Sequence, residues 1–384
     1  MDSRMPRFES LRHRFLIAGV VGAVACVVGV FFNSAQFYQS YLIAYLFWLG
    51  VALGCLPLLM LHHLVGGVWG FVIRRIVEAG IRTLPLMALL FLPIAFGIHH
   101  LYEWFHAEVV AADPALQHKS LFLNVPFFLV RAAIYFGAWL VFAYLLNRWS
   151  SEQDRTGRPD LSRSFQLLSA PGILVYVLTM TFAAFDWGMS TEPHWFSTIY
   201  GLMLIAGQVL STLAFVILVA NVVARETSSE FFGSDLFHDL GNLLLAFVML
   251  WAYMSFSQFL IIWAGNLPEE ISWYLRRGAH GWQWVAAGLA LFHFAIPFVL
   301  LLARGNKRRR EVIASIAIWV LVMRYVNDYW LIAPVFRSSI LPHLLDFAAV
   351  VGIGGLWLTV FFAELSKQTV VPLRDPNFQI EKAA

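Results

Sequence analysis

The sequence predicts an all-α integral membrane protein with about ten transmembrane helices and both termini in the cytoplasm. Three observations lead there. The 384 residues are 60% hydrophobic and only 13% charged, against about a quarter charged in an ordinary soluble domain. Ten apolar stretches each reach the roughly 20 residues that a helix needs to cross a bilayer. The cations fall in short connections between those stretches, where they orient a chain in the membrane. The whole of 1–384 reads as one polytopic membrane domain. The net charge of +3 is therefore a topology signal and does not point to nucleic acid.

The stretches run over roughly 14–33, 41–61, 83–105, 126–147, 169–187, 195–224, 238–264, 281–303, 311–333 and 343–365. The first follows a basic segment with no small-residue cleavage site after it, so it is expected to be retained as a helix. Residues 66–82, GGVWGFVIRRIVEAGIR, are shorter and amphipathic, and are expected to lie along the membrane surface. With the N-terminus inside, the cytoplasmic segments hold Arg4, Arg7, Arg12 and Arg14, then Arg74, Arg75 and Arg82. Arg148, Arg155, Arg158, Arg163, Arg225 and the run Arg304 to Arg310 follow, and the tail adds Lys367, Arg374 and Lys382. The outer segments hold only Lys119, Arg276, Arg277 and Arg337. One missed span would invert every later loop, so this asymmetry supports the helix count. Cys26 and Cys55 sit one per apolar run, without metal or cluster spacing, and are expected to be small core residues.

The most polar interruption is FAAFDWGMSTEPHWFSTIY, residues 182–200. The fifth helix is expected to end at Asp186 and Trp187, and the sixth to restart at Pro193, His194 and Trp195 with Ser190 or Thr191 as its cap. This gathers Asp186, Glu192 and His194 where two membrane helices meet water. Ionisable groups near hydrocarbon are costly and mark function by default. The plainer reading, with about even odds, is an interfacial hairpin with Trp187 and Trp195 as belt anchors.

Other buried charges can be placed by depth along the helices. His99, His100, Tyr102 and Glu103 end the third helix on the outer side. Arg131 lies one to two turns into the fourth and could pair with Asp186 or Glu103. Side chains snorkelling to water explain Glu103 and His343 well, Arg131 and Asp186 less well. Arg324 and Asp328 are four apart on the ninth helix, with Asn327 beside them, and can form an intrahelical pair. His293 is central on the eighth helix, ahead of a kink at Pro297; as a lone membrane histidine it is more often bonded to a neighbouring helix than a ligand. His238, Asp239 and Asn242 open the seventh helix near the level of His62 and His63, where Asp239 could simply favour the helix dipole. Asp346 and His343 begin the tenth. Read together, His238 and Asp239, then Arg324, Asp328 and His293, then Asp186 and His194 form a broken polar trail of the residue types that a proton relay uses.

Several chemistries find no residues to carry them. A bis-histidine haem needs facing central histidines, and only His293 is central. No phosphate loop, metalloprotease motif or iron–sulfur cysteine spacing occurs, so no bond chemistry by this chain alone is expected. A secondary transporter would show paired broken helices in related halves, whereas only the eighth helix is interrupted centrally.

The stretches DWGMSTEPHWFSTIYG, FHDLGNLLLAFVMLWAYMSFSQFLIIWAGNLPEEISWYLRR, MRYVNDYWLIAP and HHLVGGVWGFVIRRIVEAGIRTLPLMALLFLPIAF resemble the ActF-type membrane subunit of bacterial alternative complex III, of the NrfD/polysulfide-reductase-anchor kind. The resemblance implies two four-helix bundles, helices two to five and six to nine, with helices one and ten peripheral. It implies a subunit without cofactor of its own in a bacterial inner-membrane quinol oxidoreductase. Menaquinol would be oxidised there, and the electrons passed through iron–sulfur clusters and haem c to a cytochrome c-type acceptor. The expected partners are the lipid bilayer, a sister NrfD-like quinol-site subunit, and iron–sulfur and multihaem cytochrome c subunits. This subunit would scaffold the complex and carry protons through Asp186, His194, Arg131, His293, Arg324, Asp328, His238 and Asp239. The alternative is a subunit that binds quinol itself, with Asp186, His194, Trp195 and His99 at the pocket.

Overall fold

A computed structural model describes residues 6–227 and 230–372, together with Asp375 and Phe378. Arg4, Arg374 and Lys382, counted above among the cytoplasmic cations, lie outside the described residues. Among the described residues, ten helices are long and apolar enough to cross a membrane: α1 (Arg7–Phe32), α2 (Ser34–Val65), α3 (Val68–Phe96), α4 (Val125–Thr156), α5 (Asp160–Thr191), α6 (Ile199–Glu226), α7 (Ser234–Gly265), α8 (Trp282–Leu302), α9 (Arg310–Phe336) and α10 (Leu344–Leu365). No strand occurs among the described residues. Length and composition together make this a multi-pass membrane protein.

The core is built on α2 and α6, whose apolar windows are 89% and 83% buried. Both are hydrophobic on every side, as a helix surrounded by other helices must be. α2 packs against α3, α5, α6, α9 and α10, while α6 packs against α2, α5, α7 and α9. α2 and α6 approach closely at Gly54, where a Cβ would stand 2.3 Å from Thr212 Oγ1. Thr212 donates to the Val51 carbonyl at 2.9 Å, fastening that crossing.

α1 lies at the edge against α10, its exposed side carrying Ile17, Val21, Val24 and Phe31. The two helices meet through glycines. A Cβ on Gly22 would stand 2.4 Å from the Gly352 nitrogen, and one on Gly355 2.4 Å from Gly19 Cα. Small residues that let backbones touch are the usual means of helix association where lipid supplies no hydrophobic drive.

One expectation is corrected here. Residues 66–82 do not lie on the surface: Val68–Ile81 is the first part of α3, and Gly70–Ile81 are all buried. The two arginines that made it look amphipathic are neutralised inside the protein. Arg74 donates to Glu78 at 2.8 Å, Asp375 at 2.6 Å and Gln153 at 3.1 Å. Arg75 donates to the other Glu78 oxygen at 2.7 Å, to Ser150 at 2.9 Å and to Asp154. Ser150 in turn donates to Glu78 at 2.6 Å. Moments computed from sequence count an arginine as solvent-facing, but a carboxylate one turn away lets it stay inside.

α8 is not simply kinked at Pro297. Its middle, Leu289–Ala295, is a π-helix, the extra residue per turn falling ahead of the proline that cannot donate.

Replacing Gly22 with Leu would force α1 off α10, at a cost of about 1–3 kcal/mol as overpacking. We expect α1 to become the first segment cut in limited proteolysis, with a lower melting temperature. A protease-resistant variant with unchanged melting would show that the glycine seam does not hold α1.

Candidate functional site

The expected hairpin at 182–200 is built differently from the sequence reading. α5 runs as α-helix to Trp187 and finishes in a short 3₁₀ turn, Met189–Thr191. Ser190 and Thr191 cap backwards: their hydroxyls donate to the carbonyls of Asp186 at 2.5 Å and Gly188 at 2.7 Å. They satisfy the orphan carbonyls of α5 and do not open the next helix. Nor does Pro193 start α6, which begins at Ile199.

This turn holds Asp186 completely buried. Arg131 of α4 reaches it with two parallel bonds, Nε to Oδ2 at 2.9 Å and Nη2 to Oδ1 at 2.7 Å. Tyr135, one turn further along α4, donates its hydroxyl to Oδ2 at 2.8 Å. The remaining Arg131 nitrogen donates to the Phe122 carbonyl at 2.8 Å, and the guanidinium lies against the Phe122 and Phe127 rings at 3.8 and 4.3 Å. Of the two partners foreseen for Arg131, Asp186 is the one engaged; Glu103 is exposed in its own short turn.

The second charged centre is on α9. Arg324 donates to Asp328 at 2.6 Å, both buried. Space for the guanidinium comes from Gly207 of α6, where a Cβ would stand 2.5 Å from Arg324 Cζ. Arg324 Nε and Nη1 have no protein partner. Beside the pair is a small cavity of about 20 Å³, lined by Gly50, Tyr200, Gln208, Ser211, Arg324 and Asp328 among others. That is room for about one water.

Tyr200 is fully buried between the Arg324 cavity and the end of α5. It lines the Arg324 cavity, and its hydroxyl is close enough to the end of α5 that a Cβ on Gly188 would stand 2.7 Å from it. Tyr176 donates to Gln208 at 2.8 Å on the far side of the cavity. One turn beyond Gln208, α6 carries the buried hydroxyls of Ser211 and Thr212, which donate to the carbonyls of Gly207 and Val51 at 2.9 Å each.

The other candidates are dispersed. His194 turns outwards, half-exposed, and pairs with Asp113 of the 104–125 loop at 3.2 Å. The same loop sends Lys119 to the Pro193 carbonyl at 2.6 Å; partial burial pulls that ammonium below its ordinary value, with Asp113 opposing. Trp195 is buried, stacked on Trp273 at 4.9 Å and donating to the Glu270 carbonyl at 3.1 Å. His99 is exposed beside His100, ring to ring at 4.0 Å. Asp186, His194, Trp195 and His99 therefore have separate partners and do not converge on one pocket. His293 is buried on the π segment, 4.1 Å from the Trp251 ring, with neither ring nitrogen bonded. His238 and Asp239 sit together at the start of α7, 3.6 Å apart. Leu240, Leu244, Val248 and Trp251 fill the inner face of α7 above them.

Two charge clusters escaped the sequence reading. Glu192 accepts from Arg277 at 2.8 Å and Arg276 at 3.2 Å. Burial pulls the Arg277 guanidinium down, and the Glu192 carboxylate opposes it. Asp346 forms a capping box with His343. It also accepts from Ser40 at 2.6 Å and, with both oxygens, from Arg337 at 2.8 and 3.0 Å. Arg276, Arg277 and Arg337 entered the sequence account only as loop charges, because their partners are remote in the chain.

The fold and these buried pairs define a polytopic membrane protein with ionisable groups held between its helices. No protein-family model matches the chain, and no curated relative matches it either.

Asp186→Asn would leave Arg131 buried without a counter-charge, a change worth about 3–5 kcal/mol. We expect a clear fall in melting temperature, partly recovered by adding Arg131→Gln. A cycle in which the two losses simply add would mean that the pair is not coupled.

Proposed function

We propose that this chain is a proton-carrying membrane subunit of a bacterial inner-membrane quinol:electron-acceptor oxidoreductase, of the ActF type that its sequence resembles. The observation that carries the reading is the pair of buried carboxylate–guanidinium centres, Arg131–Asp186 and Arg324–Asp328, with Tyr200 and a water-sized cavity beside the second. Carboxylates retained deep among apolar helices are costly unless paired, and are characteristic of proton pathways. Gln208 and Ser211 line the cavity beside Arg324, and Thr212 follows them on α6. Such polar side chains would serve a half-channel whose continuation would fall to a sister subunit. Asp186 and Asp328 would hold protons, Arg131 and Arg324 would set their affinity, and Tyr135 and Tyr200 would pass hydrogen bonds between them.

The helix contacts are compatible with the bundles that the resemblance implies. α2 to α5 pack in sequence, as do α6 to α9, while α2 and α5 also meet α6 across the two groups; α1 lies outside α10, which itself packs on α2. The cation distribution favours cytoplasmic termini, which puts the Asp186 end on the opposite side of the membrane. The exposed apolar faces, among them Phe256, Trp263 and Val299, suit contact with lipid and with iron–sulfur, multihaem cytochrome and sister NrfD-like subunits. Electrons from menaquinol would travel through clusters and haems in those partners.

Two measurements test this. Affinity purification of the chain from a bacterial membrane should bring multihaem and iron–sulfur subunits with it; recovery of the chain alone would count against the assembly. In the assembled complex, Asp328→Asn should lower proton translocation per electron by severalfold while the subunits stay together. Full pumping in both Asp328→Asn and Asp186→Asn would remove the relay. Loss of assembly in either would make that residue structural.

A further inference from the structure

The connection between α8 and α9 is the densest run of cations in the chain. Residues 304–310 read RGNKRRR, five cations and no carboxylate in seven positions. The run is held in place by two side chains of its own. Asn306 donates to the Leu300 carbonyl at 2.9 Å and so closes the end of α8. Lys307 is buried against α7, where a Cβ on Gly241 would stand 2.8 Å from its Cγ, and its ammonium donates to Asn242 at 2.6 Å. The arginines around it are left to the outside. Arg304 and Arg308 lie four apart on the short helix Arg304–Arg308, on one face. Arg309 and Arg310 follow, both exposed.

The carboxylates nearby do not neutralise this run. Arg308 meets Asp235 at 2.6 Å, but the Asp235 side chain is itself 83% exposed. Arg310 meets Glu311 at 3.4 Å, while Glu311 is held more closely by Arg225 of α6 at 2.5 Å. Surface pairs of this kind contribute little and leave the cations open to a further anion. Arg304 and Arg309 have no carboxylate partner among the described residues.

Position decides what that anion is. The exposed apolar side of α8 continues through Val299 to Leu302, which is 55% exposed and two residues before Arg304. On α9 the exposed apolar side carries Ile318 and Trp319, and Trp319 donates to the Phe292 carbonyl at 2.7 Å, tying the two helices together. The guanidinium groups therefore stand where a lipid-facing surface ends, at the level of the headgroups. An acidic protein would have to reach down to that depth, whereas a lipid phosphate is already there. The planar fork of arginine matches two phosphate oxygens, and clusters of cations directly beyond a membrane helix attract anionic lipid.

We propose that the 304–310 segment docks the phosphate diester of an anionic phospholipid, held by Arg304 and Arg309 with Arg308 and Arg310 beside them, its acyl chains lying along Val299 and Leu302. A zwitterionic lipid carries the same phosphate beside a cation of its own, which this run of arginines disfavours. The site belongs to neither the Asp186 nor the Asp328 centre and does not depend on their carrying protons.

The test titrates the full-length chain, in a neutral detergent, with a fluorescent-tailed phosphatidylglycerol and with a phosphatidylcholine bearing the same tails. Saturable binding of the first, tighter than that of the second and weakened by salt, is the expected result. Arg304→Gln with Arg309→Gln should weaken it by about 25-fold, about fivefold for each cation at a headgroup. Arg148→Gln with Arg163→Gln, the same change of charge at two exposed arginines of α4 and α5, should leave it unchanged. Equal affinity for the two lipids, or an equal loss in the Arg148 and Arg163 variant, would overturn the proposal, since either leaves only diffuse attraction. Displacement by millimolar inorganic phosphate would overturn it in favour of a soluble anion, and tighter binding of a polyglutamate peptide in favour of an acidic protein. If the Arg304 and Arg309 double variant fails to fold, Arg304→Gln alone decides it against Arg148→Gln.

Discussion

A guanidinium cannot be left alone among apolar helices. Each buried arginine here is met by a carboxylate or by carbonyls, and most of those partners lie on another helix. Arg131 ties α4 to the end of α5, Arg277 ties the Pro268–Arg277 helix to the 192–198 turn and to α9, and Arg337 joins the end of α9 to the start of α10. Arg74 and Arg75 tie α3 to α4. In a medium without hydrophobic drive between helices, such pairs select register. A helix shifted by one turn would strand a charge, and breaking such a pair costs far more than a surface salt bridge contributes. The same pairs that fix the packing keep ionisable groups buried between the helices, which is what the proposed proton-carrying role requires.

The number and extent of the spans were largely legible, because a run of apolar residues longer than a bilayer is thick has few other uses. Nine of the ten expected stretches coincide in position with observed spans, although the second, fourth and fifth spans, each 32 residues, are longer than expected. The third is the exception: it starts near Val68 rather than at 83, because Arg74, Arg75 and Glu78 cancel one another inside. The Arg324–Asp328 pair was readable since both members share one helix face. Arg131–Asp186 was readable as one of two choices, and depth along the helices narrowed the field.

What the sequence hid is contact between distant segments. Nothing in the 182–200 stretch tells that Ser190 and Thr191 cap backwards, that His194 turns towards Asp113, or that Glu192 awaits Arg277. Each depends on how the 104–125 loop and the Pro268–Arg277 helix fold over the turn. The π segment around His293 is similarly a matter of neighbours, since Pro297 alone announces only an interruption. The members of the broken polar trail are likewise set apart by contacts that the sequence does not show. His238 and Asp239 stand at the start of α7, with Leu240, Leu244, Val248 and Trp251 buried on the turns above them.

A scaffold and a proton carrier therefore share residues, and the distinction lies in whether the carboxylates change state during turnover. The direct measurement is redox-triggered infrared difference spectroscopy of the assembled complex, with Asp328→Asn as the assignment control. We expect a carboxyl carbonyl band that appears or shifts on quinol oxidation and is missing in Asp328→Asn. A carboxyl region that stays flat through turnover, in a complex that still pumps, would contradict a proton-carrying role and leave these pairs as fastenings alone.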